Sequence, residues 1–110
     1  MISENKYILY AKEYINKNIF EKVIIEDISR DLNISKAYFN RMFKKAEGIT
    51  PYSYVLNLKI EKAKVLLSKG EDISEVALQI GFFDQSHLNR VFKKNVFMTP
   101  NEYKKLFYTN

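Results

Sequence analysis

Residues 89–94 read Asn-Arg-Val-Phe-Lys-Lys, and residues 40–45 carry almost the same text, Asn-Arg-Met-Phe-Lys-Lys. Each copy is followed by Thr-Pro, at 50–51 and 99–100, and by a tyrosine three residues after the proline. The offset is 49 residues throughout (89 minus 40, 99 minus 50). Because the chain has no other proline, the agreement indicates an internal repeat of one small helical unit.

At 110 residues the chain has the length of one domain, but the repeat predicts two half-size units that share a core. Either half alone would be only marginally stable, because so short a chain buries a small fraction of its surface. The fractions of hydrophobic (46%) and charged (28%) residues are typical of a folded protein and exclude disorder. The net charge of +5 favours an anionic partner without identifying one.

The composition and the N-terminal sequence also indicate the cellular compartment. The absence of cysteine excludes disulfides and thiolate metal sites, and fits a reducing cytoplasm. Glu4 and Lys6 lie where a signal peptide would need an apolar run. No apolar stretch approaches the roughly 18 residues of a membrane helix. The sequence therefore predicts a cytoplasmic protein that uses no membrane, metal or cofactor.

Helical periodicity dominates and strand alternation is not sustained anywhere, which predicts an all-α fold of about seven helices. Ser35, Asp84 and Thr99 are predicted to cap the helices that follow them, and helices are predicted to end in left-handed turns at Asn33, Gly48 and Gly81. The predicted helices cover about residues 4–17, 25–32, 36–46, 51–69, 73–80 and 85–96, with a seventh opened by Thr99 and Pro100. Asp72 and Glu75 should form a capping box. The apolar residues of the fourth helix occupy more than one face, which makes that helix the candidate strut between the two units.

The helices around each repeat have the layout of a helix-turn-helix, which is a short helix, a tight turn and a longer capped helix. In such a pair one face of the longer helix packs inward, and the opposite face enters the major groove of DNA. The predicted packing residues are Phe39, Met42, Phe43 and Ala46 on the third helix, and Leu88, Val91 and Phe92 on the sixth.

The opposite faces carry the side chains that base edges require. Arginine can donate twice to guanine, while asparagine and glutamine can donate to and accept from adenine. The predicted base-reading residues are Ala37, Asn40, Arg41, Gln85, Ser86, Asn89 and Arg90. Lysines and the free N–H groups near helix caps suit phosphates. The predicted phosphate contacts are Ser35, Lys36, Lys44, Lys45, His87, Lys93 and Lys94.

Other interpretations explain less of the sequence. Solvated amphipathic faces would not require Asn-Arg and Lys-Lys to recur in register. An enzyme is disfavoured because His87 is the only histidine and no nucleophile elbow, phosphate loop or metal cluster is present. A protein-interaction bundle would account for the 8 tyrosines and 8 phenylalanines, but not for the doubled basic face. RNA is disfavoured because its deep, narrow major groove does not admit a helix.

Longer motifs carry a resemblance to a known family. Several stretches resemble the DNA-binding domain of AraC/XylS-type transcription regulators. They are residues 40–45, Gly48-Ile49-Thr50-Pro51, residues 60–64, Gly81-Phe82, Asp84-Gln85-Ser86, residues 90–94 and Met98-Thr99-Pro100. The resemblance implies two helix-turn-helix subdomains, about 4–49 and 71–108, joined by a linker helix of about 51–69. It implies that the third and sixth helices enter successive major grooves of double-stranded DNA.

The same resemblance implies a transcription regulator whose domain is monomeric by itself, with RNA polymerase as a further partner. The domain would be the output part of a longer regulator or a stand-alone regulator. Three residues depart from the family pattern. Ile24 replaces a Ser or Thr cap, Lys59 stands where arginine is usual, and Phe97 stands where glycine is common. Because a bulky residue is costly in a left-handed stop, Phe97 predicts a different turn after the sixth helix.

Overall fold

The computed structural model describes residues 3–108, and within them the chain forms seven α-helices and no strand. They are α1 (Glu4–Lys17), α2 (Ile25–Asp31), α3 (Lys36–Glu47), α4 (Pro51–Ser68), α5 (Ile73–Ile80), α6 (Gln85–Val96) and α7 (Pro100–Phe107). The predicted all-α class is confirmed. No helix in this part of the chain is long and apolar enough to cross a membrane.

Local capping chemistry explains where most of these helices begin. The side chains of Ser35, Asp84 and Thr99 each accept the backbone N–H three residues on, as predicted. Thr99 and Glu102 form a complete capping box. The Asp72 carboxylate accepts the N–H of Glu75 at 3.4 Å, which is one half of the predicted box. Helix α2 begins after Ile24 with no side-chain cap bond, because isoleucine has no side-chain acceptor.

Left-handed residues end the helices ahead of the tight turns. Asn33 follows α2 with φ 58°, Gly48 follows α3 with φ 82°, and Gly81 follows α5 with φ 85°. Asparagine and glycine tolerate this conformation better than other residues, so the three predicted stops are confirmed. Phe97 also adopts it after α6, with φ 66°. The prediction of a different turn there is wrong, since the chain keeps the glycine-type turn with a phenylalanine in it.

Two compact units divide the described residues, with the boundary inside α4, between Val55 and Leu56. Unit 1 comprises residues 3–19 and 23–55. Its core is formed by Ile8, Ala11 and Ile15 of α1, Ile25 and Ile28 of α2, and Phe39, Met42 and Phe43 of α3. The ring of Phe43 packs on Phe39 at 5.8 Å and meets the edge of Tyr54 at 5.4 Å. Ala46 is exposed, so its predicted packing role is wrong.

Unit 2 comprises residues 20–22 and 56–108 of the described part. Its core is a cluster of nine buried residues, namely Ile60, Ala63, Leu67, Val76, Ala77, Ile80, Phe82, Leu88 and Phe92. Val91 is half-buried against this cluster. Phe92 meets the edge of Tyr103 at 5.5 Å, which repeats the contact between Phe43 and Tyr54 in unit 1. Residues 49 apart therefore make the same aromatic contact in each core.

Candidate nucleic-acid interface

Helix α3 presents its polar face outward because its aromatic face is anchored in the core of unit 1. With Phe39 and Phe43 fully buried, the side chains of Ala37, Arg41 and Lys44 are exposed, and Asn40 is half-buried. Ser35, Lys36 and Lys45 are also exposed. The predicted residues of the first repeat therefore lie together on the outer side of one helix and at its two ends.

Three side-chain pairs join α1 to the two helices of this unit. Tyr10 donates to Asp31 at 2.6 Å, Tyr38 donates to Glu4 at 2.7 Å, and Lys12 forms an ion pair with Glu47. Hydrogen bonding to a carboxylate raises the pKa of both tyrosines, and the bond to Glu47 raises the pKa of Lys12. The bonds of Tyr38 and Glu47 attach both ends of α3 to α1, so they fix the orientation of α3 within unit 1.

Lys36, a predicted phosphate contact, already has a partner in the unbound protein. Its ammonium group lies 2.6 Å from the carboxylate of Glu26 on α2, and this hydrogen bond lowers the pKa of Glu26. Both side chains are about half exposed. Water screens a pair as exposed as this one, so a phosphate group can displace Glu26 at little cost.

Helix α6 of unit 2 has the same construction. Gly81 makes the turn after α5, and the Asp84 carboxylate accepts the N–H of His87 at 2.8 Å. Leu88 and Phe92 are buried, and this leaves Gln85, Ser86, Arg90, Lys93 and Lys94 exposed and Asn89 half-buried. Within residues 3–108, neither Arg41 nor Arg90 takes part in an ion pair. Both guanidinium groups are thus available to an outside acceptor.

His87 packs against two aromatic rings near the start of α6. Its ring packs against Phe82, with centroids 5.0 Å apart, and against Phe83 at 5.5 Å. The Nδ1 atom is buried without a hydrogen-bond partner in this part of the chain. Burial lowers the pKa of His87, and the positive charge of Arg90 lowers it further. A neutral, half-buried imidazole is a poor phosphate ligand, which does not favour the predicted role.

Lys59 has a structural role that the sequence did not reveal. Its side chain is 4% exposed, and its Nζ donates to the carbonyl of Glu21 at 2.7 Å and to the carbonyl of Ile80. Burial lowers its pKa to about 8. Ile80 is the last residue of α5, so Lys59 binds α4 to the turn that precedes α6. The only sign of this role in the sequence is that Lys59 stands where the family usually has arginine.

A second feature missed by the sequence lies at the start of α6. Phe83 is exposed directly before the cap residue Asp84, and the Nζ of Lys22 lies 4.1 Å from the centre of its ring. Lys22 belongs to the segment between α1 and α2, yet it is part of unit 2. No periodicity or motif connects residues so far apart, because the contact exists only in the folded chain.

The comparisons agree with this geometry. A family model described as a helix-turn-helix domain matches residues 28–106. The HTH-type transcriptional regulator YobQ of Bacillus subtilis (strain 168) is 31% identical over 98 residues, which are 88% of this chain and 41% of YobQ. The chain therefore spans less than half the length of that relative.

Two solved structures have the same fold. The C-terminal domain of AraT, a response regulator from Geobacillus stearothermophilus, is 29% identical with a TM-score of 0.89, covering 94% of this chain and 88% of that one. The DNA-binding domain of the global transcriptional factor AdpA, in complex with a target DNA, shares the fold at 20% identity, with a TM-score of 0.84 and 91% of each chain covered. The chain belongs to the AraC/XylS-type family of helix-turn-helix DNA-binding domains.

Proposed function

We propose that this domain binds specific DNA sequences through the outer faces of α3 and α6, as the output domain of a transcription regulator. The observation that carries the proposal is the matched construction of the two helices. Each buries a phenylalanine that meets a tyrosine edge, and each exposes an arginine and two lysines at equivalent positions. We call α3 and α6 the reading helices from here on.

The side chains have separate roles in this proposal. Arg41 and Arg90 bind guanine by two hydrogen bonds, and the amides of Asn40, Gln85 and Asn89 bind adenine. Ala37 and Ser86 are small, which lets the helix approach base edges closely. Ser35, Lys36, Lys44, Lys45, Lys93 and Lys94 bind phosphates, which sets register and adds affinity without sequence information. His87 is left out of the phosphate contacts because its ring packs on Phe82 and Phe83.

The proposal extends to the arrangement on DNA. The subdomains of about residues 4–49 and 71–108 bind as one monomer, with the linker helix of about 51–69 between them and the reading helices in successive major grooves. AdpA, which shares this fold, was solved on DNA, and this supports a duplex as the ligand. AraT supports a place at the C-terminal end of a response regulator.

The remaining roles follow from this one. The domain is not an enzyme, and it needs no cofactor, because base recognition by a reading helix requires only hydrogen-bonding side chains. It works in the cytoplasm, away from membranes. RNA polymerase is its second partner.

The test is selection of bound sequences from a random duplex library, followed by affinity measurements on the selected site. Arg90→Ala should weaken binding by about 1–3 kcal/mol and relax the preference at one base pair. Lys93→Ala should weaken all sequences alike and reduce the salt dependence by about one phosphate contact. Arg30→Ala is the matched control, since Arg30 is an exposed arginine on α2 outside the reading faces. It should leave the base preference unchanged.

Two results would contradict the proposal. Affinity for mixed DNA that hardly changes with salt would exclude binding through several phosphates. An Arg90→Ala variant with the same affinity and the same preference as the parent would show that α6 does not read bases.

A further inference from the structure

An exposed phenylalanine stands at the tip of the second reading helix. Phe83 is 70% exposed, although its neighbour Phe82 is buried in the core of unit 2. The next residue, Asp84, is the cap of α6. The ring of Phe83 therefore lies at the N-terminal end of the helix, which is the end that makes base contacts in helix-turn-helix proteins.

A lysine from a distant part of the chain lies over this ring. The Nζ of Lys22 is 4.1 Å from the ring centroid, well within the range of cation–π attraction. The backbone beside Lys22 is anchored, because the carbonyl of Glu21 accepts a hydrogen bond from the buried Lys59. The same carbonyl would be 2.6 Å from a Cβ added at Gly81, so it packs directly on the turn before α6. Lys22 is thus held next to the start of the reading helix.

His87 connects this ring to the proposed guanine reader. The imidazole lies 5.5 Å from the Phe83 ring, and burial, together with the smaller effect of the charge of Arg90, lowers its pKa from the usual value. This shift favours the uncharged imidazole, which acts as an apolar support. Phe83 packs on this imidazole, and Arg90 follows His87 by three residues, which places it about one turn further along the same side of α6.

We propose that Phe83 is a specificity-determining residue that packs on the C5-methyl group of a thymine, while Lys22 binds an adjacent phosphate. This inference rests on the proposed function, because it requires α6 to enter the major groove. The thymine methyl is the apolar group that base edges display in that groove. An apolar ring at the tip of a helix whose other exposed side chains are polar fits this group better than any donor or acceptor.

Deoxyuridine provides the test, because it differs from thymidine only by the missing methyl group. Each thymine of the selected site is replaced singly, and affinities are measured by fluorescence anisotropy. The intact domain should lose affinity about fourfold at one thymine near the guanine that depends on Arg90, since that is the scale of burying one methyl group. Phe83→Ala should bind the thymine and deoxyuridine duplexes equally.

Three further variants sharpen the result. Phe83→Leu keeps an apolar side chain and should retain part of the discrimination. Lys22→Met should weaken all duplexes alike and keep the full response to deoxyuridine, with a smaller salt dependence. Phe97→Ala is the matched control, because Phe97 is an exposed phenylalanine at the other end of α6. It should respond to deoxyuridine as the intact domain does.

The outcomes separate this inference from the function on which it rests. If Phe83→Ala keeps the same deoxyuridine penalty while Arg90→Ala loses its guanine preference, then α6 reads DNA and the thymine contact is overturned. If Phe83→Ala has the parent's DNA affinity and response, the exposed ring serves a partner other than DNA, and the inference is again overturned. If Arg90→Ala also has no effect, the proposed function itself fails.

Discussion

Gly48 and Phe97 occupy the same position in the two halves of the repeat, as the left-handed residues that follow α3 and α6. Gly48 has φ 82° and ψ −8°, and Phe97 has φ 66° and ψ 20°. A residue with a Cβ is destabilised by roughly 1–2 kcal/mol in this conformation, because the Cβ crowds the following carbonyl oxygen. We therefore expect Phe97→Gly to stabilise the domain.

The size of the gain follows from the surroundings of Phe97. The residue is 88% exposed, so truncation removes about one eighth of the roughly 1.5–3 kcal/mol that a fully buried phenylalanine contributes. Glycine also gives the unfolded chain more conformational freedom, which reduces the gain in stability by a further ~0.4–1 kcal/mol. The net gain for Phe97→Gly is then about 0.5 kcal/mol. Phe97→Ala keeps the strain and should lose a few tenths of a kcal/mol.

Gly48→Ala is the reverse experiment at the equivalent position. A Cβ added at Gly48 meets nothing within 4 Å, so backbone strain is its main effect. The variant should be less stable than the parent by about 1 kcal/mol, after the lower entropy of the unfolded chain is subtracted. Urea and thermal unfolding followed by far-UV circular dichroism resolve such differences, since 1 kcal/mol corresponds to about 4–8 °C in a domain of this size. A Phe97→Gly variant less stable than Phe97→Ala would refute the reasoning.

Three other predictions concern the core, the pH dependence and the footprint. Phe92→Ala should lower the free energy of unfolding by about 3–5 kcal/mol, measured by urea denaturation, because the ring is fully buried; a variant that unfolds like the parent but fails to bind DNA would contradict its core role. The pKa of Lys59 in the folded protein is about 8, below the usual 10.5. Between about pH 8 and pH 10.5 the unfolded chain therefore binds more protons than the folded chain, so the free energy of unfolding rises with pH in this range. Relative to Lys59→Met, the intact domain should therefore gain on the order of 1 kcal/mol between about pH 7.5 and pH 9.5, and a constant difference would exclude the lowered pKa. Footprinting should show an asymmetric site of about two helical turns, and a short palindrome occupied by two copies would contradict monomeric binding.

Local chemistry made the helices predictable from the sequence. Ser35, Asp84 and Thr99 cap the helices that were assigned to them, and Asn33, Gly48 and Gly81 adopt the left-handed conformation. Such bonds form between residues three or four apart, so they need no knowledge of the fold. Helix α4 ends at Ser68, one residue before the predicted end, which is within the ordinary fraying of a helix terminus.

The side chains of the candidate interface were less uniformly predictable. The spacing of Phe39 and Phe43 identified the buried face of α3, and the outward position of Arg41 follows from it. The same spacing predicts Ala46 on the packing face, but Ala46 is exposed in the last turn of α3. The functional roles of the exposed residues stay predictions.

The sequence by itself determined the number of helices, most of their ends and the repeated polar faces, because these depend on caps and on a period of 3.6 residues. Tertiary structure alone decided the contacts between residues far apart in the chain. It placed His87 against Phe82 and Phe83, Lys59 beneath the turn at Gly81, and Lys22 over Phe83. It also kept Phe97 in a left-handed turn, because the capped helix α7 begins only three residues later and fixes the path of the chain there. No local preference encodes such contacts, since their energy exists only after the helices have packed.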